Sequence, residues 1–203
     1  MAKRPIQGLT KTRLCPPLSH EKATGLYECF LKDTIDIVGS IPGVTPFIAW
    51  APPSDEVYFR QIAPGFQLLK QEGQGLGERL NYVLTHCSKV GFDQVIAINS
   101  DSPTLPGEYL SKAFAFLDDD TIDIVLGPTE DGGYYAIGWK RPNPRLISEV
   151  TMSTSHVLED TLSIAQQECL GVSLLPPWYD VDEAGDLFSV RAEILANPSV
   201  GKW

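Results

Sequence analysis

The 203 residues carry 43% hydrophobic content, enough for one well-buried domain, and no linker-like stretch or internal repeat divides them. A net charge of −10 and an isoelectric point near 4.7 argue against nucleic acid or an anionic membrane surface as the main partner. Four cysteines without a CxxC pair and three histidines without ligand spacing argue against zinc and disulfides, and no stretch reaches the roughly 20 apolar residues of a membrane span.

The start, Met1-Ala-Lys-Arg-Pro5, has no apolar core of a signal peptide, so the cytoplasm is the expected location. Against the acidic whole, the first nineteen residues hold Lys3, Arg4, Lys11 and Arg13 and no acid. A mobile basic terminus is the plain account of that inversion. Pro5, Gly8 and Pro16-Pro17 instead punctuate the stretch like a shaped loop, which Ser19 closes as the N-cap of the following helix. In such a loop Gly8 permits close backbone approach, and Lys11 and Arg13 supply a point charge and a bidentate fork for a pyrophosphate. Gly8-Leu-Thr-Lys11-Thr12 is a poor P-loop, because Thr10 stands where the glycine before the lysine should be and no strand precedes it.

Helical spacing predicts a helix over 21–38, with Ala23, Leu26, Phe30, Ile37 and Val38 among its apolar positions. A strand over 44–51 contains Pro46 and is expected near an edge. A short helix over 55–62 and a short strand over 66–70 follow. Leu76, Leu80, Val83, Leu84 and Cys87 form an apolar stripe on a helix over 76–89. Residues 93–100 read as a buried strand, 106–117 as a helix with proline at its first turn, and 122–127 as another strand. Residues 134–139 and 172–175 are further strands, and 155–169 and 183–196 further helices. The alternation predicts a three-layer α/β/α fold with a mostly parallel sheet, to which the last pieces can add an antiparallel element.

Three segments carry candidate chemistry. Asn99-Ser-Asp101-Ser-Pro103 places a carboxylate just past the apolar run Val95–Ile98, where open α/β sheets bind ligands. Asp101 there can hold a divalent metal with one oxygen and leave the other sites to water and phosphate, or it and Ser102 can simply turn the chain before Pro103. Thr129-Glu-Asp131-Gly132-Gly133-Tyr134-Tyr135 joins two strands and suits a tight hairpin. It equally suits an acceptor pocket lined by Gly132, Gly133 and Tyr134, in which Asp131, or Glu130 or a water in its place, takes a proton. In Tyr179-Asp180-Val-Asp182-Glu-Ala-Gly-Asp186-Leu, Asp182 is either the N-cap of the last helix or, with Asp180 as the alternative, a second carboxylate for the metal at Asp101.

Taken in order, Lys3-Arg4-Pro5-x-x-Gly8-x-x-Lys11-Thr12-Arg13-Leu14, Leu76-Gly77-Glu78-Arg79-Leu80, Ser100-Asp101-Ser102-Pro103, Asp131-Gly132-Gly133-Tyr134-Tyr135 and Asp180-Val181-Asp182-x-x-x-Asp186-Leu187 resemble the motifs of a family of small GT-A-type transferases. It is the glycosyltransferase-like family described as radical-SAM/selenodomain-associated, similar more distantly to phospholactate and molybdenum-cofactor guanylyltransferases. The resemblance spans nearly the whole chain and implies a single nucleotide-diphospho-sugar transferase-like domain over 1–203. It also implies Mg²⁺ or Mn²⁺ at Asp101 and phosphate contacts from Lys11 and Arg13; beside these, Asp182 is the candidate second metal ligand, Lys3, Gly8 and Arg79 are further candidate nucleotide or phosphate contacts, and Asp101 and Asp131 are the candidate catalytic residues. Two departures stand out: only Met1 and Ala2 precede Lys3 where the family carries an apolar first strand, so that strand is expected to be missing or truncated; and Met152 stands where a tryptophan is usual, so an acceptor or base contact differs.

The reaction that follows is glycosyl transfer from a nucleotide-diphospho-sugar to an unspecified small acceptor. One alternative is nucleotidyl transfer, in which a phosphorylated acceptor attacks a nucleoside triphosphate and pyrophosphate leaves. The other is nucleotide binding without turnover.

Overall fold

The computed structural model describes residues 1–51 and 56–196, and these form a mixed α/β architecture. In chain order the elements are β1 (Ala2–Lys3), a 3₁₀ turn (Thr12–Leu14), α1 (His20–Gly39), β2 (Phe47–Ala51), α2 (Glu56–Ile62), β3 (Gln67–Lys70), α3 (Leu76–Lys89) and β4 (Val95–Ile98). They continue with α4 (Gly107–Leu117), β5 (Ile124–Pro128), β6 (Tyr134–Trp139), α5 (Arg145–Ser148), α6 (Val157–Gln167), β7 (Val172–Leu174) and α7 (Asp186–Ala196). Asp55, expected to open the second helix, lies outside the described residues. No helix among the described residues is long and apolar enough to cross a membrane. The chain divides into two compact units.

The N-terminal unit comprises Ala2–Leu68, Ser100–Gly107 and the described residues from Asp180 on. Its strands lie in the order β1-β2-β3, with β3 leading out of the unit. The first strand is short but formed: Ala2 pairs in parallel with Trp50, and Lys3 with Ala51. Helix α1 starts where Ser19 Oγ accepts the Lys22 N–H at 3.2 Å, as its sequence position predicts. It buries Ala23, Tyr27, Phe30 and Leu31, one helical face. Leu31 joins Ala2, Ile48, Trp50, Phe59 and Ala63 in a core from which water is excluded.

The central unit holds Met1, Leu69–Asn99 and Glu108–Tyr179. Its sheet runs β4-β6-β5-β7. The antiparallel element is β6, which pairs in opposite sense with both β4 and β5, while β5 and β7 are parallel. The hairpin explains this direction, because the short 129–133 connection between β5 and β6 can only return the chain antiparallel. Leu80, Val83, Leu84 and Cys87 of α3 are buried as the stripe predicts, but Leu76 is 53% exposed at the helix's first residue. Helix α5 has no counterpart in the sequence reading; its Leu146 and Ile147 are buried, and it packs against α3 and α6. Trp139 is fully buried and keeps its indole N–H satisfied on Ser88 Oγ at 3.1 Å.

Candidate functional site

The basic segment is built rather than trailing. Leu9 and Thr10 N–H donate to the Ile6 carbonyl at 3.0 and 3.1 Å, and Ile6 N–H donates to Thr10 Oγ1 at 2.9 Å. Gly8 sits inside that turn at φ +78° with open space where a Cβ would point, so its need for glycine is conformational. Leu14, fully buried, anchors the 3₁₀ turn. Between these two turns Lys11 takes a left-handed conformation, φ 49° and ψ 41°, which costs a non-glycine residue about 1–2 kcal/mol.

That strain accompanies a specific placement. Lys11 Nζ lies 2.6 Å from Asp101 Oδ1 and 2.6 Å from Asp182 Oδ1, with its side chain only 6% exposed against 32% and 48% for the two carboxylates. Burial alone would lower its pKa, but the charges of Asp101 and Asp182 and their hydrogen bonds outweigh it, so the ammonium is held above the ordinary lysine value. Beneath the ammonium lies the ring of Tyr27, 5.9 Å from Nζ. The Tyr27 hydroxyl shares a 2.8 Å hydrogen bond with Ser100 Oγ and accepts from Lys3 N–H at 3.4 Å. Desolvation, reinforced by the Asp101 charge, pushes the Tyr27 hydroxyl up to about 12.

Asp101 and Asp182 are brought together by backbone as well as by charge, since Val181 N–H donates to the Asp101 carbonyl at 2.9 Å. Asp182 is not the cap of α7. Asp186 Oδ2 instead accepts the N–H groups of Asp182 and Glu183, at 2.9 and 2.7 Å, and so closes the turn while the Asp182 side chain faces Lys11. Lys3 joins this group through its backbone N–H, and Arg13 is exposed on the 3₁₀ turn. Two carboxylates converging on one cation are the hard oxygen donors that Mg²⁺ or Mn²⁺ accepts. Beside Asp101, Ser102 Oγ is buried without a hydrogen-bond partner among the described residues, a further oxygen available to a ligand or water. No cluster of three or more histidine, cysteine, aspartate or glutamate side chains forms a ready metal cage among the described residues.

The remaining candidates belong to the central unit. Asp131 Oδ1 accepts from Thr129 Oγ1 at 2.5 Å and from Gly133 N–H at 3.0 Å, an Asx turn that shapes the β5–β6 connection. Gly132 has φ +88°, and a Cβ there would meet the Ser155 carbonyl oxygen at 2.0 Å. Its own carbonyl accepts Leu158 N–H at 2.9 Å, so the turn is packed on the start of α6. Tyr134 Oη reaches Met152 Sδ at 4.0 Å, and Met152 also lies against Gly77 of the Leu76–Leu80 motif. The position at which the sequence departs from its resemblance thus touches two of the motifs. Arg79 is fixed through Nε on the Gly73 carbonyl at 3.0 Å. Sequence reasoning missed Tyr27; its signal was a tyrosine four residues after Ala23 on the buried face of α1.

Residues 34–154 match the model of a family described as an uncharacterized protein conserved in bacteria, DUF2064. The chain belongs to that family. A crystal structure from Desulfovibrio desulfuricans G20, described as a candidate nucleotide-diphospho-sugar transferase, is similar at TM-score 0.90 and 28% identity, covering 97% of this chain and 86% of that one. CMP:2-keto-3-deoxy-manno-octonic acid synthetase complexed with CTP shares the fold at TM-score 0.56 and 14% identity, over 82% of this chain and 88% of that one. The Pyrobaculum calidifontis mannosyltransferase in complex with GDP-Man and Mn²⁺ does so at TM-score 0.52 and 14% identity, over 74% of this chain and 52% of that one. No curated protein matches the sequence.

Proposed function

We propose that this protein is a cytoplasmic glycosyltransferase that uses a nucleotide-diphospho-sugar donor and a divalent cation, with residues 1–203 as one domain of that type. The observation that carries the reading is the placement of Lys11 between Asp101 and Asp182, a buried cation between two acids. The candidate transferase from Desulfovibrio, similar over 97% of this chain, supports it.

In this proposal Asp101 and Asp182 hold Mg²⁺ or Mn²⁺. When bound, that ion neutralises charge developing on the departing nucleoside diphosphate. Lys11, Arg13 and Lys3 contribute positive charge for the diphosphate, Gly8 lets the loop backbone approach it, and Arg79 contacts the nucleotide. The bond between the sugar's anomeric carbon and the diphosphate oxygen breaks as an acceptor oxygen bonds to that carbon. Asp131 accepts the acceptor's proton, its geometry fixed by Thr129 and Gly133. Gly132, Gly133 and Tyr134 form the wall for that small-molecule acceptor.

The test is product detection from nucleotide sugars and nucleoside triphosphates with Mn²⁺ or Mg²⁺, following diphosphate and pyrophosphate separately, in wild type and Asp101→Ala. Metal-dependent diphosphate release that Asp101→Ala loses while staying folded is the expected result. Pyrophosphate release from a triphosphate would replace the proposal with nucleotidyl transfer through the same loop and acids. Undiminished turnover in Asp101→Ala would reject the metal role.

A further inference from the structure

Resting on the metal reading above, we infer that Lys11 is a built-in competitor of the divalent cation: the carboxylates of Asp101 and Asp182 are occupied either by the Lys11 ammonium or by the ion. Binding the ion therefore releases Lys11 to solvent and to substrate phosphate. Each acid places its Oδ1 2.6 Å from Nζ, so an ion held by the two through those oxygens would face a positive charge at contact distance. In that geometry Lys11 leaves as the ion binds.

The chain is arranged so that this exchange is local. Lys11 is held by a short segment between two turns, in a left-handed conformation. Asp101 and Asp182 stay fixed without Lys11, one through its carbonyl on Val181 N–H, the other through the two N–H groups that Asp186 holds. Tyr27, on Ser100, keeps the floor in place. The acids remain while the cation changes. The apparent affinity for the ion is then the intrinsic affinity scaled by the fraction of molecules in which Lys11 is away.

Two measurements on the full chain test this with metal alone. Mn²⁺ binding, read by calorimetry and by the loss of the free-ion paramagnetic signal, should tighten about tenfold or more in Lys11→Met. Lys11→Gly, which also accepts the left-handed backbone without strain, should tighten it likewise and guards against a folding failure of the methionine variant. In wild type, amine labelling followed by mass spectrometry should be slow at Lys11 and severalfold faster with saturating Mg²⁺, while the exposed Lys22 and Lys89 do not change. Equal Mn²⁺ affinity in wild type and both variants, abolished by Asp101→Asn, would leave the metal site standing and overturn the competition. Absence of Mn²⁺ binding from all of them would overturn the metal reading and the exchange together.

Discussion

Gly132→Ala separates packing from ligand contact at the turn assigned to the acceptor. The substitution forces an L side chain onto φ +88°, which costs about 1–2 kcal/mol by itself. The new Cβ would also lie 2.0 Å from the Ser155 carbonyl oxygen and 2.7 Å from its carbon, both backbone atoms, so the segment leading into α6 must move. Overpacking of that kind costs roughly 1–3 kcal/mol. The 2.9 Å bond from Leu158 N–H to the Gly132 carbonyl is the first to be disturbed, for about 1 kcal/mol more. Together these destabilise the protein by roughly 3–6 kcal/mol, which for a chain of this size lowers the melting temperature by about 10 °C or more. Gly133→Ala provides the contrast, because its Cβ would meet only side-chain atoms, Thr129 Oγ1 at 3.0 Å and Asp131 Oδ1 at 3.3 Å. It should cost no more than about 1 kcal/mol and shift Asp131 instead. Urea titration followed by circular dichroism, with a thermal scan beside it, gives both values. If Gly132→Ala unfolds within about 0.5 kcal/mol of wild type, the packing account of this glycine is wrong.

The raised pKa of Tyr27 has an alkaline signature. Its hydroxyl stays protonated in the fold up to about 12, whereas the unfolded chain releases the proton near 10.0, so stability falls as pH rises between those values, by at most about 3 kcal/mol. Tyr27→Phe should flatten that part of the pH–stability curve while costing about 1 kcal/mol at neutral pH for the lost Ser100 bond; an unchanged alkaline slope counts against the burial argument. Ser19→Ala should lower stability by about 1 kcal/mol in a urea titration by removing the cap of α1, and an unaltered midpoint would mean that water or another group satisfies the Lys22 N–H.

Elements with several turns of pattern were legible in the sequence. Helix α3 shows its stripe through Leu80, Val83, Leu84 and Cys87, and β4 its apolar run. What escaped was set by contacts beyond the local window. Helix α5 is four residues long, shorter than any period can be read, and takes its place from Leu146 and Ile147 packing. The apolar run of β6 does not encode its direction, which the hairpin supplies. At the candidate site the residue types were visible, with Lys11 assigned to phosphate and Asp101 and Asp182 to metal. Their mutual ion pairing was not, because it depends on a left-handed backbone at Lys11 that no side-chain pattern announces. Asp182 is one candidate in the sequence for the cap of the last helix, and the fold instead has Asp186 close that turn.

Stability alone does not call for this arrangement at Lys11. Burying a lysine stem gives up roughly 1.5–2 kcal/mol of side-chain freedom, and its left-handed backbone adds about 1–2 kcal/mol. Two half-exposed carboxylates offset those terms, yet an apolar side chain packed in the same space would commonly do as well. The acids gain little in return, since water could solvate them at 32% and 48% exposure. What the ion pairs do supply is a site whose two negative charges are partly compensated and preshaped until a cation of higher charge arrives. Deep burial of the ammonium matters for the same reason, because a solvated lysine would be screened from the two acids it holds. The strained residue and the two acids therefore make sense as parts of one charge-exchange device whose cost the rest of the N-terminal unit's core offsets.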